Sequence, residues 1–162
     1  VAVSYGVSGP NLRASGINWD LRNDDPYSVY DRFDFDVVVG KGTYGSVGDC
    51  WDRYNVRVLE IKESIKILRQ CFASIPEGNV HAAVPKKVRP KKGSIYSRYE
   101  TARGEVGYYI KSDGKNIPNR LKMRSPCFTN LSILPEISEG WMISDLITIL
   151  GSLDIVLGEI DR

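Results

Sequence analysis

The sequence predicts an α+β fold that is mainly helical, with one domain spanning residues 1–162. Apolar residues at helical spacing follow position 49 and continue for about six turns. Two segments with alternating polarity flank an Asp-Gly pair at residues 113–114, and two further helical segments close the chain. The chain is 42% apolar and 26% charged, which is typical of a single soluble domain with one core.

The N-terminal segment is predicted to be an ordered loop with a short turn of helix. Residues 1–32 are rich in Gly, Pro, Asn, Asp and Ser, and carry the isolated aromatic residues Trp19, Tyr27 and Tyr30 as anchors. Residues 33–39, F-D-F-D-V-V-V, alternate in polarity and then run apolar. This pattern predicts a β-strand.

A glycine-rich loop at residues 40–48, G-K-G-T-Y-G-S-V-G, matches the glycine pattern of protein kinases and, more loosely, of dinucleotide-binding folds. A kinase also needs a lysine on a strand, whereas Lys62 falls on a predicted helix. No H-R-D or D-F-G motif follows, and no second strand ends in an acidic residue. We therefore expect a flexible loop that binds no nucleotide.

The longest predicted helix covers about residues 49–73. Asp49 is suited to cap it, and Asp52 places negative charge in the first turn, where the helix dipole favours it. The apolar positions recur three and four residues apart and are expected to face the core. They are Trp51, Tyr54, Val58, Ile61, Ile65, Leu68 and Phe72. The face expected to meet solvent carries Arg57, Glu60, Glu63, Lys66 and Arg69.

Residues 79–93 form a linker that contains K-K-V-R-P-K-K. Because no aromatic residues interleave with these charges, a solvated loop or a contact with an acidic protein is favoured over nucleic-acid binding. The single histidine, His81, has no neighbouring ligand residues, and the three cysteines are far apart, so we predict neither a metal site nor a disulfide framework. No apolar run approaches the length of a membrane span.

A β-hairpin region is predicted at about residues 95–124. Residues 105–111 and 120–124 alternate in polarity, and Ser112-Asp113-Gly114-Lys115 between them is a tight-turn signal. Two helices are predicted after it, at residues 131–139 and 141–153, separated at Gly140. The second helix has a predicted apolar face of Met142, Leu146, Ile149 and Leu150.

The last twelve residues, G-S-L-D-I-V-L-G-E-I-D-R, have an apolar middle with acidic residues at intervals. Such an apolar segment is expected to be buried. Its carboxylates must then be paired or must line a polar cavity, because an isolated buried charge is costly. We expect the function at this end of the chain, although a plain core segment with satisfied carboxylates is the alternative.

Four blocks occur in order along the chain. They are G-P-N-L-R-A-S-G with W-D-L-R and P-Y-S-V-Y-D-R-F-D-F-D; G-D-C-W-D-R-Y-N-V-R-V; R-G-E-V-G-Y-Y-I-K-S-D-G with R-L-K-M-R-S-P; and the closing G-S-L-D-I-V-L-G-E-I-D-R. In this order they resemble the C-terminal part of the 49 kDa subunit of respiratory complex I (NADH:quinone oxidoreductase). The resemblance covers essentially all 162 residues and implies that the N-terminal part of the subunit is absent here.

That family is similar to the large subunit of nickel–iron hydrogenases, which implies a hydrogenase-like, mainly helical fold. In the hydrogenases the C-terminal region carries D-P-C-x-x-C, whose thiolates hold nickel and iron. Residues 153–162 contain no cysteine, so no nickel site is expected. In complex I the corresponding place is similar to a chamber for the quinone headgroup, beside an iron–sulfur cluster held by a neighbouring subunit.

The resemblance places the end of the chain at the wall of that chamber. Val156 and Leu157 offer an apolar surface to a quinone ring, Gly158 permits close backbone approach, and nearby carboxylates shape the potential felt by a reduced quinone. The candidate residues are Asp154, Val156, Leu157, Gly158, Glu159, Asp161 and Arg162. No catalytic residue, bound cofactor or metal is expected in this part, and quinone is expected only as the substrate of the intact complex.

The resemblance implies an enzyme subunit that couples electron transfer from NADH to quinone with proton translocation, and a chain that is inactive alone. The expected partners are the subunit holding the terminal iron–sulfur cluster and the membrane-arm subunit at the quinone entrance. The expected location is peripheral, on the cytoplasmic side of a bacterial or archaeal membrane or the matrix side in mitochondria. A hydrogenase-related subunit, a deazaflavin- or ferredoxin-linked subunit and a non-catalytic scaffold are the alternatives.

Overall fold

A computed structural model describes residues 1–161; Arg162 lies outside the described residues. Over that range, helices and one antiparallel sheet form a mixed α+β fold, as predicted. The helices are α1 (Pro10–Ala14), α2 (Leu21–Asp24), a 3-10 turn (Tyr30–Arg32), α3 (Cys50–Ser74), α4 (Pro126–Leu131), α5 (Leu134–Ser138), α6 (Ile143–Leu153) and α7 (Leu157–Ile160). The strands are β1 (Gly93–Thr101), β2 (Gly104–Ser112) and β3 (Arg120–Arg124).

The long helix is confirmed as α3. Asp49 caps it as expected, because its side chain accepts a hydrogen bond from the backbone N–H of Asp52 at 2.8 Å. The predicted orientation of the helix is wrong. Val56 and Ile67 are buried, whereas the seven residues of the apolar stripe are 37–76% exposed. The charged face packs against the rest of the chain instead, because its side chains find partners there, including Glu60 with Arg13 at 2.6 Å.

The predicted hairpin region is confirmed and extends to a third strand, in the order β1-β2-β3. Both pairings are antiparallel, with Tyr99 opposite Val106 and Lys111 opposite Arg120. Gly114 adopts φ +94° in the β2–β3 connection, which is the conformation that glycine takes at least cost. The Asp-Gly signal therefore marks a real turn.

The predicted strand at residues 33–39 is wrong. Within residues 1–161 the segment has no strand partner, and its backbone follows α3 instead. The N–H of Asp34 donates to the side chain of Gln70, and the N–H of Asp36 donates to that of Glu63, each at 2.9 Å. Alternating polarity indicates an extended backbone, but a strand also needs a neighbouring strand to take its hydrogen bonds.

The two predicted C-terminal helices are both present, the first shortened to α5 and the second as α6, and two further short helices, α4 and α7, flank them. Ser125 starts α4 with a side-chain cap, and Pro126 follows at the first helical position, where its missing N–H costs nothing. Gly140, at φ +82°, separates α5 from α6 as expected. The predicted apolar face of α6 is mostly wrong, since Ile149 is buried but Met142 is 70% exposed.

The core joins the two ends of the chain. Val7 and Leu12 from the N-terminal segment pack with Ile133 and Leu153, and Trp19 lies against this cluster. The N-terminal segment is thus ordered and partly helical, as predicted. Because Leu153 is the last residue of α6, the core fixes the point from which the C-terminal segment departs. Among residues 1–161, no helix combines the length and apolar character that a membrane span requires.

Candidate functional site

The candidate residues begin at a sharp turn. Asp154 follows α6 with φ 56° and ψ 56°, a left-handed conformation that is costly for a residue with a side chain. Two guanidinium groups hold it there. Arg103 Nε lies 3.3 Å from Asp154 Oδ2, and Arg57 Nε lies 3.7 Å from the same oxygen. We call Arg57, Arg103 and Asp154 the clamp, because charges from α3 and from the β1–β2 connection stabilise the turn.

Arg57 also binds the end of α6 directly. Its Nη1 donates to the carbonyl of Ser152 at 2.8 Å, and its Nη2 donates to the carbonyl of Leu153 at 3.1 Å. Asn11 adds a second donor to the Leu153 carbonyl at 3.0 Å and accepts from Arg57 Nη2 at 2.9 Å. Helix C-terminal carbonyls lack partners within the helix and carry partial negative charge, which a cation complements.

The pKa of the Arg57 guanidinium is lowered from its ordinary value, mainly because burial disfavours the charged form, while Asp154 acts in the opposite direction. The Nε atoms of Arg57 and Arg103 are both buried, and among the described residues neither has a hydrogen-bond acceptor. The Nε contacts with Asp154 are therefore ionic, two positive charges facing one negative charge, and Arg103 Nη2 adds a hydrogen bond by donating to Asp154 Oδ1 at 3.3 Å.

Beyond the turn, the chain is held by α4. The backbone N–H of Val156 donates to the sulfur of Cys127 at 3.4 Å, and Glu159 accepts from the Ser125 hydroxyl and from the Cys127 N–H, each at 3.4 Å. Burial and the neighbouring Glu159 raise the pKa of the Cys127 thiol to about 11, so the thiol stays protonated at neutral pH. Cys127 is a buried residue whose sulfur and backbone N–H hold the C-terminal segment against α4.

The prediction that the whole C-terminal segment is buried is only half right. Leu153 is 2% exposed and Ile155 packs against the core, but Val156 is 37% exposed and Leu157 is 79% exposed. Gly158 and Asp161 are also exposed, and Glu159 is half-buried. The prediction failed for the outer half because the core of the described residues ends at Ile155. The last candidate, Arg162, lies outside the described residues.

Two grooves border this segment. One, of about 400 Å³, is lined by charged residues and reaches Asp154. The other, of about 520 Å³, lies between the sheet and α4 and has Tyr96, Tyr109, Phe128 and Glu159 in its lining. The exposed residues Val156 and Leu157 connect Asp154 to Glu159 along the chain, so the candidate residues lie between a charged groove and a groove of mixed lining with three aromatic residues.

The charged groove contains a buried ion cluster that sequence reasoning missed. Arg13 is 1% exposed and lies 2.6 Å from Glu60, 2.8 Å from Glu100 and 3.4 Å from Asp20. Arg22 pairs with Asp20 at 2.6 Å. The only sequence signal was that Arg13 stands among small and apolar neighbours in the first resemblance block, which does not identify its partners.

Burial and the neighbouring arginines shift the pKa values of two carboxylates in this cluster, Asp20 and Glu100. Burial alone acts to raise the pKa of Asp20, but the hydrogen bond from Arg22 and the charge of Arg13 leave it lowered. Burial raises the pKa of Glu100 in spite of the opposing effect of Arg13. Asp20 is thus held ionised, while Glu100 is protonated more easily than an ordinary glutamate.

The glycine-rich loop directs its amides at a carboxylate. The N–H of Gly42 donates to Asp52 Oδ2 at 2.8 Å, and the N–H of Gly48 lies 3.3 Å from the same oxygen. Asp52 is 1% exposed, so a negative charge of the chain itself already occupies the position that a bound phosphate would need. Lys62 lies on α3, as predicted.

Nucleotides are therefore expected to leave this chain unaffected. ATP or NADH at about 1 mM should shift the unfolding midpoint by less than about 1 °C, because a ligand stabilises only the state that binds it. The measurement is thermal unfolding with and without nucleotide, on the chain and on a Gly42→Val variant. A clear upward shift that disappears in Gly42→Val would contradict the assignment.

The absence of a metal site remains a prediction. Within residues 1–161, no three side chains of His, Cys, Asp or Glu converge in a way that would hold a metal ion. His81 is exposed in the linker, and the three cysteines carry free thiols.

Comparison with known proteins identifies the family. The sequence model described as respiratory-chain NADH dehydrogenase, 49 Kd subunit, matches residues 1–94 and 82–162. A NADH-quinone oxidoreductase subunit of Chlorobaculum tepidum is 56% identical over 166 residues, which covers 100% of this chain and 42% of the relative. The subunit of the same name from Bacillus anthracis is 57% identical over 161 residues, covering 99% of this chain and 43% of the relative.

The chain thus spans about two-fifths of the length of the curated relatives that it matches. The matched ranges include the residues of the core, of the clamp and of the C-terminal segment. The chain belongs to the family of the 49 kDa subunit of respiratory-chain NADH dehydrogenase.

Proposed function

We propose that this chain forms part of a subunit of NADH:quinone oxidoreductase and contributes one wall of the chamber that binds the quinone headgroup. The observation that carries the proposal is the clamped turn at Asp154. Arg57 and Arg103 fix a left-handed residue at the end of α6, and the chain then presents the uncovered side chains of Val156 and Leu157. A segment that is fixed at one end and exposes apolar side chains beyond it is suited to form one wall of a binding site.

The charges at the turn suit the chemistry of quinone reduction. Reduction gives a quinone negative charge on its oxygens before protons arrive. Arg57, Arg103 and Asp154 together carry one net positive charge, and the two guanidinium groups are partly shielded from water. A fixed positive potential in a site with little water stabilises such an anion. Asp154 keeps this charge from being larger and holds both guanidinium groups in place.

In the whole complex, quinone would be the substrate of this site, and electrons would come from an iron–sulfur cluster held by a neighbouring subunit. NADH would be oxidised elsewhere in the assembly, and quinone reduction would be coupled to proton translocation. The subunit would bind peripherally, beside the membrane-arm subunit at the quinone entrance, on the cytoplasmic or matrix side. The complete subunit would adopt the fold of the hydrogenase large subunit without its metal-binding cysteines.

The first test is a substitution at the proposed wall. Val156→Met in the intact complex is expected to change the affinity of quinone-site inhibitors about tenfold, equivalent to ~1.4 kcal/mol, because added bulk reshapes an apolar surface. NADH oxidation by an artificial electron acceptor should stay within about twofold of the native rate, because that reaction does not need the quinone site. Inhibitor titration of both activities measures this.

Val84→Met is the control, because Val84 is exposed, lies in the linker at residues 79–93 and is not in the lining of either groove that borders the segment. It should change neither inhibitor affinity nor activity. If Val156→Met instead lowers both activities together and reduces the amount of assembled complex, the segment is only part of a packed core. If inhibitor affinity stays unchanged in a well-assembled complex, Val156 does not line the site.

A further inference from the structure

Cys127, on α4, contacts the C-terminal segment at two positions. Its sulfur accepts a hydrogen bond from the backbone N–H of Val156 at 3.4 Å, and its own N–H donates to Glu159 Oε2 at 3.4 Å. The residue is 0% exposed, so water does not compete for the sulfur. Burial, and then a hydrogen bond with Glu159, raise the pKa of the thiol to about 11, so at neutral pH the sulfur keeps its proton. Cys127 thus links position 156 to position 159.

The starts of two helices explain why these groups meet. Ser125 caps α4, so Cys127 lies in the first turn of that helix, where backbone N–H groups have no acceptor within the helix. Val156 directly precedes α7, and Glu159 lies within α7. Cys127 and Glu159 therefore join the start of α4 to the start of α7, and the Ser125 hydroxyl adds a further donor to Glu159 at 3.4 Å.

The proposed wall, Val156 and Leu157, is thus fixed on both sides. The clamp holds Asp154 before it, and Cys127 holds the Val156 backbone and the Glu159 carboxylate. The segment cannot move away from a bound ring without breaking one of these two sets of contacts. Binding sites depend on groups that are held in place by a supporting layer of this kind.

We propose that Cys127 is a positioning residue for quinone binding, which acts by holding the wall in place through the Val156 N–H and Glu159. The inference rests on the proposed function of this segment, and it assigns Cys127 no contact with the quinone. It also specifies that hydrogen bonding matters at this position, and not side-chain volume. A side chain of similar size without an acceptor would leave the Val156 N–H unpaired, and the segment would have to move to find another partner.

Substitutions at position 127 in the intact complex separate hydrogen bonding from packing. Cys127→Ser keeps a donor and an acceptor, whereas Cys127→Val keeps an apolar side chain of similar size and has neither. Cys127→Val is expected to raise the KM for quinone and the Kd of quinone-site inhibitors about fivefold to tenfold, with kcat and NADH oxidation by an artificial acceptor within about twofold of native. Cys127→Ser should stay within about twofold of native in all four quantities. Cys127→Ala, which also lacks both groups, repeats the measurement if valine reduces the amount of assembled complex.

Hydrogen exchange tests the contact itself. The Val156 amide is expected to exchange at least about tenfold faster in Cys127→Val than in the native complex or in Cys127→Ser, as measured by mass spectrometry. A native KM and a native rate of exchange in Cys127→Val would overturn the proposal. A KM that rises as much in Cys127→Ser as in Cys127→Val would overturn it as well, because packing alone would then explain the role of Cys127.

The Val156→Met experiment separates this inference from the proposed function. A changed inhibitor affinity in Val156→Met, together with a native affinity in Cys127→Val, would overturn only the role of Cys127. A native affinity in Val156→Met would instead overturn the proposed wall, and the role of Cys127 with it.

Discussion

Replacing Arg13 with methionine is expected to destabilise the folded subunit by about 3–5 kcal/mol, which is the typical cost of removing one partner from a buried ion pair. Arg13 is the cation at the centre of Asp20, Glu60 and Glu100, and it is 1% exposed. Methionine fills a similar volume but leaves these carboxylates without that charge. The loss should also weaken the packing of α1 on α3, which Glu60 connects.

The measurement is the free energy of unfolding of the full-length subunit in denaturant, together with the amount of assembled complex. Arg32→Met is the matched control, because Arg32 is exposed and should cost less than about 0.5 kcal/mol. The destabilisation should shrink as the pH falls towards about 4, because burial raises the pKa of Glu100 and this carboxylate loses its charge, whereas Asp20 keeps Arg22 as its partner. An Arg13→Met variant as stable as the control would show that the cluster is solvated.

Gly104→Ala is expected to cost about 2–5 kcal/mol through two effects that add. Gly104 has φ +131°, a conformation that side chains rarely adopt, and a Cβ there would lie 2.6 Å from Ser8 Oγ and 2.8 Å from Ser8 C. Strain contributes about 1–2 kcal/mol and overpacking about 1–3 kcal/mol. Because Gly104 follows Arg103, the variant should also displace one half of the clamp on Asp154.

Gly78→Ala separates the two effects. Gly78 has a similar φ of +141° but nothing within 4 Å of the added Cβ, so it carries the strain without the clash. Denaturant unfolding of both variants should show Gly104→Ala to be the more destabilised by at least about 1 kcal/mol. Equal destabilisation of the two variants would mean that the backbones at Gly104 and Ser8 move apart at little cost in free energy.

The elements that the sequence predicted well are those with local signals. Asp49 capped α3 as expected, Gly114 marked the turn between β2 and β3, and Gly140 separated two helices. The wrong orientation of α3 has a different origin. Periodicity reveals which residues share a face of a helix, but it does not reveal what covers that face. Here the covering layer of the apolar stripe is not among the described residues.

The clamp and the buried ion cluster could not be predicted from the sequence, for a related reason. Arg57 and Arg103 meet Asp154 from positions 97 and 51 residues away, and nothing local in the sequence connects them. The resemblance supplied the candidate wall at Asp154 and Val156, but not the groups that hold it. Long-range polar contacts depend on the whole topology, which short motifs do not encode.

The central claim is that the turn at Asp154 serves quinone reduction, and Asp154→Asn in the intact complex tests it most directly. The substitution removes a charge with little change in volume. It should lower the rate of quinone reduction by NADH about tenfold or more, because the guanidinium groups of Arg57 and Arg103 lose the carboxylate that positions them, and this loss outweighs the more positive net charge of the clamp. NADH oxidation by an artificial acceptor and the amount of assembled complex should stay within about twofold of native. Loss of both activities together with poor assembly would contradict the account, and so would an unchanged rate of quinone reduction.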